Sequence, residues 1–348
     1  METAKVKKIK ITNFKGIQDL ELDFTYENTN NSLDNIVIYG INGSGKSTIL
    51  EAIYICLIVS SVYHRKSDLK RIEEYLVSYL SLGSEWIYHD EQEFVINIEF
   101  IDNTELVKAT LNYHKVNGLK WTIPNNKKLS ENFQKSFSYL SSYRLLNPST
   151  VHSAGDWGEI ERIEEDLLRR RRRYPPRDIR HRRDNSFPSL SLQFENNYGT
   201  VKQYLVNLIT DKSVGAMSEE NNAILEKIKE SFKIFFPNKE FLEKLSRASD
   251  MQDYRLMIKN EDGSIVDLDQ LSSGEREVLA FFTYLCTKAI HTSILIIDEP
   301  ELHLHAKWQS IILYAIHKVF PDVQLFLATH SEEIHQSVSE SELFELVK

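Results

Sequence analysis

Along the 348-residue chain, apolar positions recur with a period of two in some stretches and near 3.6 in others, and the changes mark its elements. Ile9, Ile11 and Thr12 stand against Lys8, Lys10 and Asn13 up to Phe14, and Leu20-Glu21-Leu22-Asp23-Phe24 alternates again after Gly16. These predict two strands of a hairpin-like edge. The β-branched run Asn35-Ile36-Val37-Ile38 predicts a strand, and 49–59 is apolar almost all round, the mark of a helix buried in the core. A second helix is expected over 67–82, with Leu69, Ile72, Leu76, Tyr79 and Leu80 at helical spacing. The period then returns to two. Segments 93–100 and 106–113, joined at Asp102-Asn103, read as an antiparallel hairpin to which 119–123 adds a third strand, and 137–146 reads as a buried strand ending at Ser141, Ser142 and Arg144.

In the second half, 201–209 and 222–236 predict amphipathic helices, the latter with Ile224, Leu225, Ile228, Phe232, Phe235 and Phe236 on its apolar side. No heptad pattern persists, so no long coiled coil is expected. A short hairpin, 254–259 with 264–268, turns at Asp262-Gly263 and leads to Leu271-Ser272-Ser273-Gly274-Glu275-Arg276-Glu277, a capped helix start for a helix running to about 289. Then come a buried strand, 293–298, ending in Asp298-Glu299-Pro300; a helix, 306–319; and a third apolar strand, 323–328, ending in Thr329-His330-Ser331.

Composition changes this picture in one place. At 41% hydrophobic and 27% charged the chain is an ordinary globular protein, and no run reaches the ~18 apolar residues a membrane helix needs. The charged N-terminus carries no signal-peptide pattern, and Cys56 and Cys286 sit in apolar helical runs, so a cytoplasmic protein without disulfides is expected. A net charge of -9 excludes a protein coated in nucleic acid over its whole surface. Between Glu161 and Asp184, however, ten arginines, including the unbroken run from Arg169 through Arg173, face six acids, a local +4 that leaves -13 for the rest. That stretch is open to two readings: a phosphate-binding patch, or a solvated loop that docks an acidic protein.

The chemistry begins at Gly40. Gly40-Ile41-Asn42-Gly43-Ser44-Gly45-Lys46-Ser47-Thr48 satisfies G-x-x-x-x-G-K-[ST] between a strand and a helix. Glycines at those spacings let backbone amides close around phosphate oxygens at a helix N-terminus. Lys46 would neutralise the β- and γ-phosphates, and Ser47 would ligate Mg²⁺. Lys15 is a candidate for the same phosphates or a solvated turn lysine. Ser273, Gly274 and Glu275 open a second helix and so a second anion site. Two acids ending a buried strand suit Mg²⁺ binding by Asp298 and orientation of an attacking water by Glu299. His330, at the end of a parallel strand, falls beside the phosphates. Asp298, Glu301, His303 and His305 could alternatively suggest a metal site, but the leucines alternating with them fit a loop after the strand.

The order of these motifs is similar to the Walker A, signature, Walker B and switch-histidine series of the ABC ATPase superfamily. With the opening Ile-Thr-Asn-Phe-Lys-Gly and the segment 298–305, the chain resembles the soluble branch that includes SMC, RecF and OLD-type ATPases and the PtuA-like ATPases of phage-defence systems. The resemblance implies an α/β fold, a P-loop NTPase with ABC ATPase head architecture: mixed sheet, antiparallel β arm and helical lobe. It divides the chain into an N-terminal half with Walker A and the arm (1–146), a helical, arginine-rich insertion (147–249) and a C-terminal half with signature, Walker B and switch histidine (250–348). It implies ATP and Mg²⁺ as cofactors, Lys46 and Ser47 on phosphate and metal, Asp298 on the metal, Glu299 as catalytic carboxylate and His330 as γ-phosphate sensor. It also implies that Ser273 and Gly274 act on the nucleotide of a second subunit, so that ATP is sandwiched in a homodimer or higher homo-oligomer. The sequence departs from the family where Ser141 to Arg144 stand in place of a glutamine, and too little chain follows Ser331 for an OLD-type nuclease domain.

The expected function is therefore an ATPase acting as an ATP-gated dimeric switch. It would sense DNA or RNA through the region around Arg169 to Arg173 and regulate a partner effector, a nuclease, in antiviral defence. The alternative is a RecF-like DNA repair ATPase. A transporter subunit is disfavoured by the Ser-Ser-Gly-Glu signature and the antiparallel arm, and no membrane partner is expected.

Overall fold

The structure is a computed structural model, and its description covers residues 4–62 without 28, 86–123, 129–140 without 131, 132, 134 and 135, 198–247, and 254–346 without 290 and 303. The expected helix at 67–82, the Ser141 to Arg144 group, the arginine run and His303 lie outside the described residues.

Five strands form a parallel sheet in the order β13-β3-β12-β11-β7, from β3 (Asn35–Tyr39), β7 (Phe137–Leu140), β11 (Ile294–Asp298), β12 (Gln324–Thr329) and β13 (Leu343–Glu345). β11 and β12 are buried at every position, as in sheets covered on both faces. Alternate residues serve two cores. Ile36, Ile38, Ile294, Ile296, Phe326 and Ala328 join one, while Val37, Leu295, Ile297, Leu325 and Leu327 join the other. This is the period-two consequence of the pleat.

The first core lies between that sheet and a second, antiparallel one, ordered β2-β1-β4-β5-β6 from β1 (Ala4–Phe14), β2 (Ile17–Asp23), β4 (Glu93–Asp102), β5 (Glu105–His114) and β6 (Gly118–Thr122). Helix α1 (Lys46–Val62) fills the space, touching β11 and β12 on one side and β4 and β5 on the other. Its apolar circumference, Ile49, Leu50 and Ile53 through Val59, is therefore buried throughout. The second core holds α2 (Tyr198–Ser213), α3 (Glu219–Phe235), α4 (Ser273–Lys288) and α6 (Ile312–Val319), with a three-stranded sheet of β8 (Glu240–Arg247), β9 (Tyr254–Lys259) and β10 (Ile265–Asp267). Cys56 and Cys286 are free and buried, and burial pushes both thiols up, that of Cys286 to about 12.

The expected hairpin of β1 and β2 forms one edge of its sheet, and β1 also pairs with β4, whose residues lie some ninety positions on. The edge is β2, whose outward Asp19, Glu21 and Asp23 suit an unpaired side. The expected helix 306–319 is broken into α5 (Ala306–Gln309) and α6 at Ser310-Ile311. β8, β13 and the short helix α7 (Glu332–His335) were not expected, since Glu-Phe-Leu-Glu-Lys-Leu-Ser-Arg has no clean alternation and β13 is only three residues long.

Gln324, fully buried, ties the sheets together. Its amide donates to the Val6 and Leu33 carbonyls at 2.9 and 3.0 Å, and its carbonyl accepts from Val6 N–H at 2.7 Å. Val6 sits where the β1–β4 register shifts, so the glutamine satisfies backbone groups that the bulge frees.

Candidate functional site

The parallel sheet brings the separated motifs together by register alone. Asp298 pairs with Ala328, Ala328 with Ile38, and Thr329 with Tyr39, so three carboxyl ends lie side by side. That is the crevice where open α/β sheets bind ligands. Gly40 to Gly45 leave the end of β3, and Asp298, Glu299 and His330 leave the ends of its neighbours.

The loop is shaped by its glycines. Gly43 and Gly45 have φ of 78° and 100°, left-handed values that strain a side chain, and a Cβ on Gly40 would come within 2.9 Å of the Leu346 carbonyl. Ser44 N–H donates to the Ile41 carbonyl at 3.2 Å, and the buried Ser44 Oγ has no hydrogen-bond partner among the described residues. Lys46, only 6% exposed, folds back over the loop and donates to the carbonyls of Gly40 (2.7 Å) and Ile41 (3.1 Å). Asn42 and Gly43 are exposed at the crest and Thr48 lies in the first turn of α1.

Ser47 Oγ donates to Asp298 Oδ1 at 3.0 Å, a contact spanning 251 positions of sequence. Burial pushes the Asp298 carboxyl up to about 6; the Ser47 hydrogen bond opposes this and the charges of Glu299, Glu51 and Glu301 add to it. Glu299 is half-buried with φ of 50°, its N–H bonded to the Ala328 carbonyl at 2.8 Å. A non-glycine residue in the left-handed region directly after a buried strand turns its side chain away from the line of the strand, a strain met at functional sites. His330 is 49% exposed by side chain, while Glu301, 5% exposed, stands behind it: Glu301 Oε1 accepts from His330 N–H at 2.9 Å and lies 3.0 Å from its Nδ1.

Lys15, at φ 50°, resolves between its two readings differently from either. Its ammonium pairs with Glu51 at 2.5 Å and lies 4.4 Å from the centre of the Trp86 ring. Glu51 is one helical turn beyond Ser47, so Lys15 is held beside the loop, in contact with the helix that the loop opens. Of the alternative metal cluster, Glu301 stands against His330 and His305 Nδ1 accepts from Lys307 N–H as the cap of α5, while His303 lies outside the described residues.

The signature is built as a cap. Ser272 Oγ accepts from Glu275 N–H at 3.3 Å while Glu275 Oε2 accepts from Ser272 N–H at 2.9 Å, a reciprocal capping box. Burial raises the Glu275 carboxyl, but Lys239 at 2.8 Å and the Ser272 hydrogen bonds outweigh this and lower it overall. Ser273 is exposed. Gly274 faces Trp308, and a Cβ there would lie 2.6 Å from the indole ring. This contact seats the α5–α6 break. Gln309, beside Trp308, donates to the Leu304 carbonyl at 2.7 Å and accepts from Ser331 Oγ at 2.7 Å, linking the segment after β11 to the residue after His330. Among the described residues, no hydrogen bond or ion pair joins 272–275 to 40–48.

Sequence patterns miss Glu51, Glu301, Trp308 and Gln309 in these roles. Glu301 alone leaves a signal, an acid three positions after Asp298, but acids in loops are usually solvated and its burial is tertiary.

With this geometry the chain agrees with known proteins over nearly its whole length. The model of the AAA ATPase domain family matches residues 5–335, and the chain belongs to that family. It is similar to the retron Ec83 probable ATPase of Escherichia coli, 23% identical over 98% of this chain and 71% of that one. It is also similar to the Septu protein PtuA of Bacillus mycoides, 23% identical over 94% of this chain and 38% of that one. Among solved structures, the SMC head domain from Thermotoga maritima superimposes with a TM-score of 0.51 at 13% identity, over 96% of this chain and 92% of that chain, which establishes the ABC ATPase head fold.

Proposed function

We propose, from an AAA ATPase domain with this site, that the protein is an ATP-gated dimeric switch that senses nucleic acid and controls a separate effector, a nuclease, in antiviral defence. The observation that carries the reading is the division of labour within one chain. Cradle, acids and sensor converge at one sheet edge, whereas the exposed Ser273 and its cap have no bond to that cradle among the described residues. A signature presented in this way suits the nucleotide of a second copy.

The residues fit ATP with Mg²⁺. A serine hydroxyl against a buried carboxylate that burial raises to about 6 is a donor pair suited to a divalent cation, and the partnerless Ser44 hydroxyl lies in a loop shaped for an anion. When bound, the metal would neutralise phosphate charge. Lys46 would exchange its loop carbonyls for phosphate oxygens, Ser47 and Asp298 would hold the metal, Glu299 would orient the attacking water, and His330 would contact the γ-phosphate. The relatives named for retron and Septu systems support the defence setting.

The test is to purify Glu299→Gln from its native host in ATP and Mg²⁺ and to identify what accompanies it. The variant is expected as a stable dimer with a stoichiometric nuclease and nucleic acid, the latter lost when Arg169 to Arg173 become glutamines. A monomer in ATP would defeat the switch, and replication or recombination proteins in place of a nuclease would move the reading to RecF-like repair.

A further inference from the structure

Glu301 is as buried as Asp298, 5% exposed in each case, yet the proposed mechanism gives it no part in holding nucleotide or metal. A carboxylate in such a place is costly unless paired. Its pairing is confined to one residue: Oε1 accepts from the His330 N–H at 2.9 Å and lies 3.0 Å from His330 Nδ1, while Oε2 is buried with no hydrogen-bond partner among the described residues. An ionised carboxylate 3.0 Å from Nδ1 disfavours a bare lone pair there and favours a hydrogen, so the contact biases the ring toward protonation at Nδ1. In both the neutral and the cationic ring Nε2 is then the nitrogen left to meet a ligand, on a side chain 49% exposed. The same oxygen accepts from the backbone N–H and stands against the ring, so one carboxylate acts on both the loop after β12 and the imidazole.

We propose that Glu301 is a positioning residue that holds the His330 imidazole protonated at Nδ1, with Nε2 presented to the terminal phosphate of a bound nucleoside triphosphate. This rests on the reading of His330 as phosphate sensor. Glu301 touches no reacting atom and acts through the histidine, as the carboxylates behind metal-bound histidines do. It is distinct from Glu299, which leaves the end of β11 two residues earlier with its own backbone turned by a positive φ.

The experiment uses the full chain labelled with ¹⁵N-histidine, and His330→Ala identifies the His330 ring signals. The wild type is expected to show a protonated Nδ1. Glu301→Ala should lose that signature and lower kcat by about tenfold to a hundredfold, as loss of a supporting carboxylate does elsewhere. Its affinity for the fluorescent probe MANT-ATP should stay within about threefold of wild type, a loss of turnover without a loss of binding. Glu301→Gln keeps a side-chain carbonyl in the same place and should restore both the Nδ1 proton and most of the turnover. Should the alanine variant not fold, Glu301→Met, which keeps the volume without an acceptor, carries the same expectation. An unchanged Nδ1 signal in the alanine or methionine variant, or a glutamine variant as slow as they are, overturns the proposal. If His330→Ala hydrolyses ATP at the wild-type rate, the sensor reading fails by itself, and the Nδ1 signal still decides what Glu301 does to the ring.

Discussion

The starts of α1 and α4 are made from the same ingredients, a glycine, serines and an N-terminal helical turn, and the fold sets them in opposite relations to the chain. At Ser47, itself exposed, the hydroxyl reaches across to Asp298 of another motif in the same copy, and Lys46 is buried over its own loop. Around the exposed Ser273 the bonds close locally, in the Ser272–Glu275 capping box and the Glu275–Lys239 ion pair. A helix N-terminus supplies the same partial positive charge in both. What differs is whether the sheet register brings partners to it. It does for α1, which follows β3 directly, and not for α4, whose start is pinned by Trp308 and Lys239 instead.

Trans-complementation would break this comparison most completely. Under the proposed two-copy site, in which both side chains contact the transferring phosphate, Lys46→Ala and Ser273→Arg should each reduce ATP turnover by on the order of a hundredfold or more. Mixed in equal amounts, they should recover roughly a quarter of wild-type turnover, because half of randomly paired twofold dimers are mixed and each has one intact site of two. Turnover of the mixture no higher than that of the separate variants would show that each copy completes its own site.

A smaller effect is expected at Gly274. Its substitution by alanine drives a methyl into the Trp308 ring, an overpacking of about 1–3 kcal/mol that would appear as a lower Tm. Trp308→Leu should relieve it, so the double variant should be more stable than the sum of the singles predicts. Additive losses would mean that the Gly274–Trp308 contact does not seat the signature.

The acids bonded to the serines of the two helix starts, Asp298 and Glu275, should also differ in sign with pH, measured on metal-chelated protein. Asp298 is raised from 3.8 to about 6 by burial, so the native state holds a proton the unfolded chain has released between those values. Stability should fall as pH rises through that window, by at most about 3 kcal/mol, and Asp298→Asn should flatten the fall. Glu275 is lowered from its ordinary 4.5, so its contribution is present above that value and lost as pH drops below it. Glu275→Gln should remove that acid-side loss alone. Slopes of the same sign for both acids would contradict the contrast in their surroundings.

Much of the fold and of the candidate site is legible in residue order. The Gly40 to Thr48 loop between strand and helix, the strand ending at Asp298-Glu299, the strand ending at Thr329-His330 and the all-apolar α1 are local patterns, and local patterns are recorded in residue order. The order of those motifs is enough to suggest the ATPase family and its head fold. Residue order does not record which distant groups share a carboxylate. Pairing of β1 with β4, the Ser47 to Asp298 bond across 251 positions and the seating of Trp308 on Gly274 all depend on chain folding over long separations. The same holds for Glu301. In sequence it is one of several acids near Asp298, and only burial beside the loop after β12 leaves His330 as its partner. Sequence determined which chemistry the chain carries. Tertiary structure decided which residues meet to perform it, because burial and register are properties of pairs that one-dimensional order cannot express.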